Sequence, residues 1–392
     1  MSQRNLALDY LKTTVILLVV AYHAVLAYCG YPPLGSEHGL FAGFPGIPII
    51  DAVAWPGFAY PGKLVDTWLM ALMFFVSGLF VWPSLERKGG LTFVRDRVLR
   101  LGVPFGIAAV FLMPIAWYPS ALLNGWDRGF LAYLPRFYAF GTWTSGPAWF
   151  LWVLLAFSCV LVAVIALAPV TIAALGRGGA AAGRRPIAFF AMLAAATAGA
   201  VILSLTVLGP DALSWFSVGP FAVQTSRLAF YFIYFLAGVG LGIHGVERGL
   251  LGRDGPLVSH WALWLGVGAA AAVLYLAVTA RFPWVMSYRG PFLVTIAWGL
   301  AFALACAAQG FALLAVFLRF TNRPSVILEN LQGNAFGIYI IHYFFIIWMQ
   351  YALLGVPLPA AAKAGSVFVV ALAASWAITA ALRRIPAVRR YL

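Results

Sequence analysis

Ten stretches of this chain are long and apolar enough to cross a lipid bilayer, and that pattern leaves few folds open. They cover residues 6–28, 64–83, 98–118, 147–169, 187–208, 227–244, 260–280, 291–317, 334–354 and 363–383. Each has about the length a helix needs to traverse a hydrocarbon core of roughly 30 Å. With no water to bond to inside a bilayer, backbone N–H and C=O groups must pair within the segment, which favours helices. The expectation is an all-α polytopic membrane protein. Composition agrees: 64% of residues are hydrophobic and only 9% charged, too apolar for a soluble domain. The first run is too long for a removable signal peptide and has no small-residue cleavage site, so it is expected to remain as the first span.

An even number of spans puts both termini on one side. With the termini inside, 18 of the 25 Lys and Arg residues lie inside; Lys63, Arg128, Arg136, Arg227, Arg281, Arg289 and Lys363 lie outside. The loops are short enough for the positive-inside rule, so the expected topology is N-in, C-in. The net charge of +14 then reflects cytoplasmic loops facing acidic lipid rather than a nucleic-acid partner. Cys29, Cys159 and Cys306 are scattered through apolar sequence, in neither a zinc spacing nor a disulfide framework. The Gly/Ala-rich stretch 170–186 reads as a flexible inner linker. Residues 1–392 read as a single integral-membrane domain, without an appended soluble domain or an internal repeat.

The first apolar run, Leu6 to Tyr28, carries Asp9, Lys12 and His23. An Asp or Lys in hydrocarbon costs roughly 2.5–3.5 kcal/mol on insertion scales, so something inside the protein must compensate. On an ideal helix Lys12 and His23 project within about 20° of each other, roughly 16 Å apart along the axis. Asp9 is three residues before Lys12 and can pair with it. The stripe reads as the wall of an internal polar cavity. A neutral, structurally satisfied imidazole explains His23 alone; in company with Asp9 and Lys12 it reads as part of a site. Histidine exchanges protons near neutral pH and suits a general base acting on a hydroxyl.

A second cluster, TFVRDRVLRLGVPF at residues 92–105, enters the third run from inside. Arg97 and Arg100 are three apart, and guanidinium forks are shaped for phosphate; positive-inside anchoring explains Arg87 and Lys88. Ser77 in the second run, Trp149 at the start of the fourth, and Tyr339 with His342 in the ninth are possible cavity-lining residues. Helix packing, an aromatic belt and a structural hydrogen bond are their respective simpler explanations. Walker and GxSxG motifs do not occur. His38, His244 and His260 are too dispersed for a metal site.

These residues resemble the acyltransferase 3 family of bacterial membrane acyltransferases. Its first-helix pattern, leucine-aspartate, a basic residue, ten residues and a histidine, is matched by Leu8, Asp9, Lys12 and His23, with Lys where Arg is more frequent. Its third-helix arginine pair is matched by Arg97 and Arg100. FFVSGLF, AWFLWVLL and FGIYIIHYFF read like family segments, and the likeness runs from Leu8 to about Tyr351. The resemblance implies a ten-helix O-acyltransferase of the cell inner membrane. It would move an acyl group from cytoplasmic acyl-coenzyme A to a hydroxyl of an extracytoplasmic or envelope glycan, as in O-acetylation and other polysaccharide modification. Within the family the chain is similar to the glucan-modifying branch, and a form without a fused esterase-like domain is expected. Lys12, Arg97 and Arg100 would bind the donor, His23 would be the catalytic base, and Asp9 would tune the neighbouring cations. No bound cofactor is expected; acyl-coenzyme A is a substrate. Direct transfer and an acyl-histidine relay both stay open. The residues alone also suit a proton-coupled transporter of a small solute or acylated product.

Overall fold

In the computed structural model, residues 5–31, 47–139, 143–212, 214–282 and 292–388 are described. Arg4, His38, Arg289, Arg389 and Arg390 lie outside them. Ten helices have membrane length: α1 (Leu6–Leu26), α2 (Pro56–Lys88), α3 (Gly90–Leu123), α5 (Gly146–Leu167), α7 (Pro186–Leu208), α8 (Thr225–His244), α9 (Trp261–Arg281), α10 (Phe292–Phe320), α11 (Val326–Ala352) and α12 (Ala360–Leu382). Two shorter helices, α4 (Gly129–Phe137) and α6 (Val170–Arg184), complete the set used below. The protein is a multi-pass membrane protein.

α1 lies inside the bundle, packed against α2, α10, α11 and α12. It begins at Asn5, whose side chain accepts the Leu8 N–H at 3.2 Å and relieves one of the unpaired N-terminal donors. No residue from Leu6 to Leu26 is exposed. α11 runs parallel to it. The Tyr10 hydroxyl donates to Glu329 at 2.8 Å near the start of both helices, and Gln350 donates to the His23 carbonyl at 3.0 Å near their ends. The face where these two helices start is the basic face: Asn5, which caps α1, and Arg383, which bonds to the Gly333 carbonyl near the start of α11, fall to it with most of the described Lys and Arg residues.

Small residues set the closest crossing. α8 meets α2 with Gly238 against the Phe75 carbonyl and Gly78 against the Phe235 carbonyl, positions where a Cβ would collide with backbone. Without a hydrophobic force between helices in lipid, such backbone approach is a main source of association.

Two sequence expectations change, and one feature is new. Residues 170–186 do not form a flexible linker: they fold as α6, which lies along α8. Its Ala-rich sequence favours helix, and Gly179 sits against the Gly240 backbone, so that glycine serves close packing rather than flexibility. The third span is longer than residues 98–118, and it is interrupted by π-helical turns at Val98–Gly102 and Ala108–Leu112. The segment before α8 holds a short antiparallel hairpin, β1 (Trp215–Val218) and β2 (Phe221–Gln224), pairing Trp215 with Gln224 and Val218 with Phe221.

Candidate active site

His23 keeps a partly accessible side chain on α1. Its Nδ1 lies 2.8 Å from the Val19 carbonyl. A carbonyl only accepts, so Nδ1 carries the proton, and in the neutral ring Nε2 is left with a free lone pair. α11 supplies the surroundings. The His342 ring lies 5.3 Å from that of His23, and the Tyr343 ring 5.4 Å from it. His342 is fully buried. Its Nδ1 donates to the Tyr339 carbonyl at 2.6 Å, and its Nε2 is buried without a hydrogen-bond partner. A buried acceptor left unpaired costs about 1–3 kcal/mol. Two imidazoles with proton-free Nε2 atoms therefore face one another in the half of the bundle away from the basic face.

The walls are fixed by further bonds. The Tyr339 hydroxyl donates to the Pro147 carbonyl, which ties α11 to the start of α5. Gly146 precedes it at φ 49°, a left-handed conformation suited to glycine, and an added Cβ would meet Met113 Sδ and the Tyr343 ring. Trp149, half-buried, stacks on Tyr231 with ring centroids 5.7 Å apart. Of the possible lining residues, Tyr339, His342 and Trp149 thus gather on the His23 side.

Ser77 belongs to the other end. It is one turn before Phe80, whose ring lies 4.1 Å from Lys12 Nζ. Lys12 also pairs with Asp9 at 3.2 Å. Asp9 is fourteen residues before His23, about 21 Å along the helix, so its contact is with Lys12 and it positions that cation. Arg97 stands half-buried over the Phe93 ring at 5.0 Å, within electrostatic range of Arg100. Arg100 is exposed within the π-helical turn. Such turns recur at functional sites.

The polar stripe of α1 is not continuous. Between Lys12 and His23, Ile16 is 8% and Val19 4% exposed. α1 therefore carries polar groups at two levels, Lys12 with Asp9 at the basic face and His23 beside His342, separated by apolar packing.

Two buried ion pairs escaped the sequence reading. Lys363 of α12, fully buried, donates to Asp51 at 2.7 Å. Arg227 at the start of α8 pairs with Asp66 in α2 and lies over the Phe302 ring. Asp66 stands within the second apolar run, and a carboxylate there is itself a signal; the sequence does not show its partner. Among the described residues, no group of three or more His, Cys, Asp or Glu could hold a metal ion.

No curated protein matches the chain, and no solved structure does. The model of the acyltransferase domain of the acyltransferase 3 family matches residues 5–380, nearly the whole sequence. A multi-pass bundle with a histidine and a separate cation on the same first helix is thus placed by its sequence: the chain belongs to the acyltransferase 3 family and is a membrane acyltransferase.

Proposed function

We propose that the protein transfers an acyl group from acyl-coenzyme A, bound at the cytoplasmic face of the inner membrane, to a hydroxyl of an envelope glycan on the other side. The observation that carries this reading is the placement on one helix of a cation, Lys12, held by Asp9, and a histidine whose Nδ1 is bonded to Val19 and whose Nε2 is free, roughly 16 Å apart. Lys12, held by Asp9, and the Arg97/Arg100 pair would receive the donor's phosphates. The pantetheine arm would pass the Ile16–Val19 constriction and bring its thioester to His23. Nε2 of His23 takes the acceptor's hydroxyl proton as the oxygen attacks the thioester carbon. The C–S bond breaks, and the coenzyme A thiolate takes up that proton. Oxygen gains the acyl group and sulfur the hydrogen, with no other reagent consumed. The test is to supply purified protein with acyl-coenzyme A and glycan and to follow free thiol and glycan ester together; a transporter would produce neither.

Two further outcomes are expected. In the Arg97→Ala/Arg100→Ala double variant, donor affinity falls about tenfold or more, since charge-assisted hydrogen bonds contribute roughly 1.5–3 kcal/mol each. Calorimetric titration of folded double variant with acyl-coenzyme A checks this, and unchanged affinity would remove the assignment. The basic face is cytoplasmic, so a reporter fused at residue 180 reads inside and one fused at residue 219 reads outside. The reverse pattern would put the donor recess on the wrong side.

A further inference from the structure

The two ion pairs differ in exposure. In the Lys363–Asp51 pair both side chains are enclosed, at 0% and 3% exposure. In the Arg227–Asp66 pair Arg227 is enclosed at 9%, but Asp66 is 46% exposed. Arg227 bonds to the Asp66 backbone carbonyl and to Oδ2. Oδ1 has no partner among the described residues. A membrane helix thus presents an anchored carboxylate with one open oxygen.

The direction of that opening is set by neighbouring contacts. Gly62 lies one turn before Asp66 on the same face of α2, and a Cβ there would sit 3.6 Å from the Tyr22 ring. Tyr22 in turn makes an edge contact with His23 at 5.4 Å. Asp66 therefore lies on the side of α2 turned toward α1 and Tyr22. On its other flank, Tyr231 stands one turn after Arg227 on α8, Tyr231 stacks on Trp149, and Trp149 meets Trp215 of the hairpin at 5.8 Å. Trp215 is 37% exposed. A row of aromatic rings leads from the hairpin to the carboxylate.

We infer that Asp66, anchored by Arg227 and flanked by Tyr22 and the Trp149–Trp215 wall, forms a subsite for an uncharged pyranose of the acceptor. This rests on the glycan-acceptor reading above and assigns the residues that would hold the sugar. Sugar hydroxyls donate to the open Oδ1 in charge-assisted bonds. The apolar faces of the ring pack on the aromatic side chains, which combine apolar area with polar edges. Arg227 holds the carboxylate in place and is a positioning residue.

The test uses the full chain in lipid nanodiscs and calorimetric titration with a linear glucose hexasaccharide and, separately, an N-acetylglucosamine tetrasaccharide, without donor. Saturable binding of at least one sugar is expected. Asp66→Asn should weaken it about tenfold or more, the loss of a bond to a charged group, while titration of the same sample with acetyl-coenzyme A is unchanged. Binding of neither sugar to the wild type, or equal binding by Asp66→Asn, overturns the subsite. Should Asp66→Asn not fold, Trp215→Ala on the exposed hairpin decides: a loss of about threefold or more supports the aromatic wall, and no loss overturns it. Failure of the wild type to bind acetyl-coenzyme A would sink the donor reading and leave the sugar result standing.

Discussion

His23→Ala is expected to lower acyl transfer by about 10²–10⁴ while expression, folding and donor binding persist, the usual cost of removing a general base. The expectation comes from the geometry of one ring. Nδ1 is committed to the Val19 carbonyl, so Nε2 is the atom that can accept a proton. The Val19 carbonyl is on the same helix, so losing the ring breaks no hydrogen bond between elements. Gln350 grips the backbone carbonyl of residue 23 rather than its side chain, and that bond survives. Steady-state transfer at saturating acyl-coenzyme A, beside a donor-binding isotherm, is the measurement. Near-normal turnover would transfer the role to His342, whose Nε2 is equally free of protons. Lys12→Ala should act differently, raising the donor concentration needed rather than lowering the maximal rate.

The largest effect on stability is expected from Lys363→Met. Removing one partner of a buried pair leaves an uncompensated charge, at a cost of about 3–5 kcal/mol. Lys363 and Asp51 suit that case because neither reaches solvent. Asp51 also accepts the Val53 N–H at 2.8 Å, and its own N–H donates to the Ala27 carbonyl, so the pair fastens the Asp51–Val53 segment to the end of α1 and to α12. The Asp51→Asn/Lys363→Met double variant keeps an oxygen for Val53 and removes both charges. It should recover most of the loss, because replacing both members of a buried pair is often neutral. Thermal unfolding of the three proteins in one detergent measures the difference. A single variant as stable as the wild type would show that residue 51 reaches water.

What the sequence made legible follows from the range over which each feature acts. Helix geometry is local, so the ten spans, the Asp9–Lys12 contact and the depth of His23 could be worked out from spacing. The meeting of His23 with His342 was open to guesswork only because both lie in apolar runs. Arg227 and Asp66 are 161 residues apart, Lys363 and Asp51 312 apart. Nothing in one member of such a pair names the other. Gly179 misled for a related reason: glycine confers freedom on an isolated chain and close contact in a packed one, and only the neighbouring Gly240 carbonyl decides which. The π-helical turns around Arg100 leave no residue signature that would have moved the span boundary. The hairpin was hidden because its exposed Trp215, Phe216 and Val218 resemble any aromatic membrane-interface segment.

The apolar packing between Lys12 and His23 has an electrical meaning. An enzyme that meets one reactant on each side of an energised membrane, as proposed for this one, must still be an insulator. Moving one elementary charge through 100 mV is worth about 2.3 kcal/mol, so an open aqueous path along Asp9, Lys12 and His23 would short-circuit the gradient on which the cell runs. Ile16 and Val19 occupy that path with side chains that carry neither protons nor ions. Under the proposed transfer, a neutral acyl thioester on a slender arm would part them for the length of one reaction and let them close behind it. The group that crosses would then be the only cargo, and the voltage would be left untouched.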